Sequence, residues 1–115
     1  SDQIGSPTHA KDLAGAIVSI INNKKFYETD TPSEVFHYSN DGECSWYDFA
    51  KEIVSLSGTK CIISPIDSKD YPQKALRPKY VLMDKRKIQD YFGLEIHFWT
   101  DSLKSCIKDL SASSN

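Results

Sequence analysis

His37-Tyr38-Ser39-Asn40-Asp41-Gly42-Glu43-Cys44-Ser45-Trp46-Tyr47-Asp48-Phe49-Ala50 carries three kinds of local instruction in succession. Its opening belongs to the β-prone run Val35 to Ser39, which predicts a buried or half-buried strand. Asn40-Asp41-Gly42 is turn chemistry, because short polar side chains bond nearby backbone and glycine accepts dihedrals that other residues avoid. Ser45 followed by Asp48 is a variant capping box, so a helix should open there with Trp46, Phe49, Ala50 and Ile53 on its apolar face. Gly58 is placed to terminate that helix. Cys61-Ile62-Ile63 then reads as a second apolar strand, which Pro65 must end or confine to an edge. Strand, helix, strand predicts a βαβ unit with a parallel, right-handed pair.

Upstream, Ala10, Leu13, Ala14, Ile17, Ile20 and Ile21 recur at helical spacing and predict a helix over 8–22 with one apolar face. Thr8 or Ser6 would cap it, with Pro7 tolerated where amides have no internal partner. The polar stretch Glu28 to Glu34, with Pro32, predicts a surface loop. Asp67 to Lys79, punctuated by Pro72 and Pro78, predicts a long irregular one. Asp84 should cap a third helix that ends at Gly93, with Ile88, Tyr91 and Phe92 facing inward. Thr100 should cap a fourth, faced by Leu103, Cys106, Ile107 and Leu110, before a frayed tail, Ser111 to Asn115. The expectation is an α/β chain of about four helices and two or more short, mainly parallel strands. So few strands make a poor free-standing sheet, so residues 1–115 are expected to be one piece of a larger protein.

Composition narrows the function. With 115 residues, 39% hydrophobic and 26% charged, the chain supports one modest core and one domain. A formal net charge of -2 disfavours a polyanionic partner, so no nucleic acid is expected. No apolar run approaches the roughly 18 residues of a membrane span, and Ser1-Asp2-Gln3 lacks the basic start of a signal peptide. A soluble, cytoplasmic chain with no membrane partner is the expectation. Cys44, Cys61 and Cys106 are odd in number and widely spaced, which predicts reduced, mostly buried thiols. His9, His37 and His97 lack a second ligand at metal spacing, so no metal is expected.

Several residues could carry chemistry. Tyr47 and Lys51 have the Tyr-x-x-x-Lys spacing of a proton-transfer pair, but no glycine-rich dinucleotide loop accompanies them. Arg77 is one of two arginines, the other being Arg86, and lies in the irregular loop beside Pro78. Its planar fork suits a phosphate or a ligand carboxylate, or equally a salt bridge that anchors the loop. Asp2, Gln3, Ser6 and Thr8 form a polar cluster at a helix start, where hydroxyls or an anion could bind and where capping also explains such residues. Trp46 and Trp99 could stack on a base or sugar, or fill a core or domain interface. Asp41, Glu43 and Asp48 surround a turn and read as caps or solvated charges.

Three stretches together resemble the dTDP-4-dehydrorhamnose reductase family of extended short-chain dehydrogenase/reductases. Asp2-Gln3-Ile4-Gly5-Ser6-Pro7-Thr8, continued by Asp12-Leu13-Ala14, is similar to the family's Asp-Gln-x-Gly-x-Pro-Thr segment. The run from His37 to Ala50 contains its Ser-Trp-Tyr-acid-Phe-Ala core, and Arg77-Pro78-Lys79-Tyr80 with Met83-Asp84 is similar to Arg-Pro-x-x-Ser-x-Leu-Asp. Val81 and Met83 depart from that pattern, standing where the family has serine and leucine. The resemblance covers roughly the C-terminal two-fifths of such an enzyme, downstream of its glycine-rich NADPH loop and catalytic Tyr-x-x-x-Lys. It makes Tyr47 and Lys51 a decoy. It implies the substrate-binding portion of an NADPH-dependent reductase that converts a dTDP-4-keto sugar to dTDP-L-rhamnose, the parent's own Rossmann domain holding the cofactor. Arg77, Asp2, Gln3 and Trp46 would then meet the substrate. Residues 1–115 would carry no catalytic residue, no cofactor site and no activity alone, and a homodimer is left open. The resemblance also admits the noncatalytic regulatory subunit of methionine adenosyltransferase, beta type, or a related nucleotide-sugar epimerase or reductase.

Overall fold

A computed structural model describes residues 1–28, 30, 33–71 and 74–114. Pro32 and Pro72, part of the loop expectations, lie outside the described residues, as does Asn115 of the expected tail. The order is β1 (Ile4–Gly5), α1 (Ala10–Ile21), β2 (Cys44–Ser45), α2 (Trp46–Ser57), β3 (Tyr80–Val81), α3 (Arg86–Phe92) and α4 (Trp99–Ser113). Four helices accompany a small mixed sheet in the order β2-β1-β3, where β1 runs antiparallel to β2 and parallel to β3.

The helix signals are obeyed where they are local. Ser45 Oγ accepts the Asp48 N–H at 3.1 Å, and Asp48 returns a carboxylate oxygen to the Ser45 N–H at 3.1 Å, a complete capping box. Gly58 and Gly93 close α2 and α3 in the left-handed conformation. Lys85, not Asp84, takes the N-cap position of α3 and makes no side-chain cap bond, while Asp84, one residue upstream, accepts the Arg86 N–H at 3.0 Å. Trp99 and Leu103 of α4 meet Cys44, with Phe49, Ile53, Leu56 and Ile107 packed around them. A second apolar contact joins Phe92 of α3 to Phe36, their ring centroids 5.1 Å apart, and Ile88 of the same helix is buried.

Other expectations fail for reasons of partnership. Val35 to Ser39 forms no strand: no neighbouring edge runs beside it, and Phe36 spends its side chain on the α3 rings. Among the described residues the pairing nearby is an isolated bridge in which Asp41 N–H donates to the His97 carbonyl and Trp99 N–H donates to the Asp41 carbonyl. Cys61-Ile62-Ile63 is irregular, with Ile62 95% exposed, so the expected βαβ unit is replaced by two-residue strands drawn from elsewhere. Neither Thr8 nor Ser6 caps α1; His9 takes that position without a side-chain bond. Thr100 lies inside α4, which starts at Trp99 and stays helical through Ser113 where a frayed tail was expected. Of the cysteines, all free, Cys44 is buried, Cys106 half-buried and Cys61 exposed.

Helix α1 departs most from a self-contained domain. Its buried residue is Ala16, outside the apolar stripe, whereas Leu13, Ile17, Val18 and Ile21 lie on the surface. The radius of gyration is 17.2 Å, where a compact chain of this length has about 13 Å. The accessible area is 8740 Å², against roughly 6,300 Å² for a compact monomer of 13.0 kDa.

Candidate functional site

The three strands bring three distant chain segments to one cavity of about 480 Å³. Gln3 to Thr8, running from β1 toward α1, form one wall; Ser39, Cys44, Ser45, Trp46 and Phe49, around β2 and the start of α2, form the second. Arg77, Pro78, Val81 and Met83, flanking β3, form the third. Ile4 N–H donates to the Lys79 carbonyl at 2.7 Å and Ser6 Oγ donates to the Gly42 carbonyl at 2.5 Å, stitching the first wall to both others. Tyr80 Oη donates to Glu43 at 2.8 Å, joining the two outer walls at the surface. That bond to a carboxylate pushes the Tyr80 phenol above its ordinary range.

Three of the four residues expected to meet a ligand line this cavity: Gln3, Trp46 and Arg77. Trp46, at the first position of α2, is 70% exposed, so its ring is presented to the cavity and solvent and the buried role falls to Trp99. Arg77 makes no hydrogen bond or ion pair with the described residues, so the loop-anchoring salt bridge is not formed among them. Asp2 stands at the margin. Its carboxylate accepts from Ser68 N–H at 2.9 Å and Ser68 Oγ at 2.8 Å, bonds that hold it below the usual carboxylate range. Gln3 Nε2 also donates to Ser68 Oγ, at 2.9 Å, so one serine orients both.

The lining is apolar on most of its surface, from Ile4, Pro7, Trp46, Phe49, Pro78, Val81 and Met83, and polar at a few convergent groups. Arg77 is its one cation, and it includes no carboxylate. Cys44 contributes a thiol that burial, helped by the nearby Asp48 charge, pushes up to about 11, so it stays protonated and acts as wall rather than nucleophile. Tyr47 and Lys51 are absent from the lining; the Lys51 ammonium lies 5.4 Å from the Tyr47 ring centre, an ordinary contact one helical turn apart. The His9 N–H at the start of α1 donates to Asn40 Oδ1 at 2.7 Å, and Asp12 stands in the helix's first turn.

Sequence reasoning missed Ser68, Ser39, Ser45 as cavity wall, and Asn40 beyond its turn role. Ser68 carried no signal, since it follows Asp67 in a short helical turn inside the irregular segment. Among the described residues no group of three His, Cys, Asp or Glu side chains is placed to hold a metal ion, and no helix is long and apolar enough to cross a membrane.

The family model described as the RmlD substrate binding domain matches residues 1–112. The spore coat polysaccharide biosynthesis protein SpsK of Bacillus subtilis is 35% identical over 112 residues, covering 97% of this chain and 36% of that protein. A dTDP-4-dehydrorhamnose reductase of Aggregatibacter actinomycetemcomitans is 32% identical over 91% of this chain and 37% of its own. The crystal structure of dTDP-4-dehydrorhamnose reductase from Bacillus anthracis in complex with NADP superposes with a TM-score of 0.82 at 30% identity, over 95% of this chain and 36% of that one. A dTDP-4-dehydrorhamnose reductase structure from Clostridium acetobutylicum gives the same TM-score at 33% identity, over 96% and 37%. The chain thus spans a little over a third of the length of the relatives it matches.

Proposed function

Since the chain belongs to the RmlD substrate binding domain family, we propose that its cavity receives the dTDP-4-keto sugar of an NADPH-dependent dTDP-4-dehydrorhamnose reductase. One observation carries the reading: Gln3, Trp46 and Arg77, from three separate segments, converge on a lining whose single charge is positive. Arg77 takes a diphosphate oxygen pair with its fork. Gln3, held by Ser68, offers an amide to the sugar hydroxyls, and Trp46 presents a flat apolar face to a ring. Asp2 acts at one remove by fixing Ser68, which in turn holds Gln3.

NADPH, which supplies the hydride when bound, and the proton donor belong to a Rossmann part of the same parent, so residues 1–115 alone turn nothing over. These residues hold the keto sugar still against that part and exclude water from one side of it. The outward apolar stripe of α1 and the excess exposed area support a contact with that part of the parent. A soluble, cytoplasmic setting follows from the substrate proposed.

The test is calorimetric titration of dTDP into the full-length natural protein and its Arg77→Ala variant. A charge-assisted contact predicts a loss of about 1.5–3 kcal/mol, or roughly 10- to 150-fold in affinity. Equal affinity for the two proteins would remove Arg77 from the substrate site, and no dTDP binding by the natural protein would remove the assignment itself.

A further inference from the structure

Asn40 is wholly buried, a polar side chain without exposed surface at the centre of this fold. Its Nδ2 donates to Asp12 at 2.6 Å, to Ser102 Oγ at 2.9 Å and to the His97 carbonyl at 3.2 Å, while Oδ1 accepts the His9 N–H at 2.7 Å. Ser102 Oγ also donates to Asp12. The Asn40 backbone carbonyl accepts from Lys85 Nζ at 3.2 Å, and Lys85 also pairs with Asp41 at 3.2 Å. One side chain therefore fastens the start of α1 to α4 and to the segment before it. Asn40 lines no part of the cavity, yet it follows Ser39 of the second wall directly, and the His9 it holds follows Ser6-Pro7-Thr8 of the first.

We propose that Asn40 is a positioning residue of the cavity: its amide fixes the spacing between the first and second walls and so sets ligand affinity without touching ligand. The chemistry of the amide is specific. It must donate on one side, toward Asp12, and accept on the other, from a backbone N–H, which neither a carboxylate nor an aliphatic side chain of that size does. The idea rests on the proposed substrate role only for the identity of the ligand.

Asn40→Asp keeps the shape and inverts the donor. At neutral pH it sets a second carboxylate 2.6 Å from the place Asp12 holds, and two carboxylates that close share a proton only in acid. The charged or titratable groups facing the position are Asp12 and His9 on the α1 side, His97 before α4, Lys85 before α3 and Asp41 on its own segment. The natural protein measured across the same pH range is the reference.

The experiment is amide hydrogen exchange of His9, Asp41 and Trp99 in the full-length natural protein and in N40D, N40A and N40D/D12N, with dTDP titrated into each. N40D should lower protection of these amides, and dTDP affinity, by at least about tenfold at pH 7.5, the scale of one buried hydrogen bond lost. Acidification toward pH 5 should restore N40D in part but not N40A, and N40D/D12N should recover in part at pH 7.5 because donor and acceptor have changed places toward residue 12, the bond to the His97 carbonyl staying lost. Protection and affinity of N40D equal to the natural protein at pH 7.5 overturn the proposal. So does a loss that neither acid nor D12N repairs, which is what a merely disrupted core would give. If the natural protein takes no dTDP, the substrate reading falls while the exchange of the three amides still decides the positioning role.

Discussion

Gly42→Ala should be the most damaging of the five glycine-to-alanine changes in this chain, and the structure separates its cost into two parts. Gly42 has φ of 83°, a left-handed conformation that costs an L side chain roughly 1–2 kcal/mol. An added Cβ would also fall 2.3 Å from Phe98 Cε2 and 2.5 Å from Cζ, so the ring must leave. Phe98 is 45% exposed and can swing outward, which keeps this second cost near the low end of overpacking penalties, about 1–2 kcal/mol. The total is about 2–4 kcal/mol. Gly93 supplies the control, since its φ is 68° but nothing lies within 4 Å of its would-be Cβ; Gly93→Ala should cost only the first part, roughly 1–2 kcal/mol. In a Phe98→Ala background the difference between the two glycine variants should vanish. Urea denaturation with fitted midpoints and slopes measures all of these. Equal destabilisation of G42A and G93A in the natural background, within about 0.5 kcal/mol, would show that the ring is not the obstacle. A difference that survives F98A would place the obstacle elsewhere.

Ser45→Ala removes the acceptor of the Asp48 N–H and a buried hydroxyl together, and should cost about 1–2 kcal/mol by thermal or urea unfolding; a change under about 0.3 would mean that α2 needs no cap. Acid should destabilise the fold in a defined direction. Bonds from Ser45 hold Asp48 below its ordinary value, and at Asp12 burial opposes the charge but bonds from Ser102 and Asn40 outweigh it. Depressed carboxylates add stability that is complete above the unfolded value of about 4 and drains as pH falls through the folded values, so the urea midpoint should drop below pH 4. A flat midpoint from pH 5 to pH 2.5 would contradict this. Ile17→Ser should change the stability of residues 1–115 alone by less than about 0.5 kcal/mol, because Ile17 is 48% exposed. In the full-length natural protein the same change should cost about 1.5–3 kcal/mol if the stripe is covered there, and an equal small effect in both would mean that it is not.

What could be read from the sequence was what neighbours within a few residues decide. Ser45 and Asp48 cap each other three positions apart, and Gly58 and Gly93 end helices because only glycine sits easily in their dihedrals. The strands escaped because two residues carry no period, and their pairing is settled by partners dozens of positions away. The β-prone run at Val35 shows the converse: propensity without an edge to pair with makes no sheet. For α1 the apolar stripe was legible and its destination was not, since periodicity states that a face is apolar and not what covers it. Arg77, Gln3 and Trp46 could be singled out by residue type and by resemblance to a family. Their convergence, and the parts played by Ser68 and Asn40, needed the three-dimensional arrangement.

The cavity's three walls come from the beginning, middle and late part of the chain, and the strands that unite them are two residues long. No wall stands alone, because each strand is too short to persist without the one beside it. A chain that stops after α2 lacks the whole third wall, Arg77, Pro78, Val81 and Met83, so ligand binding reports on completion of the fold rather than on its progress.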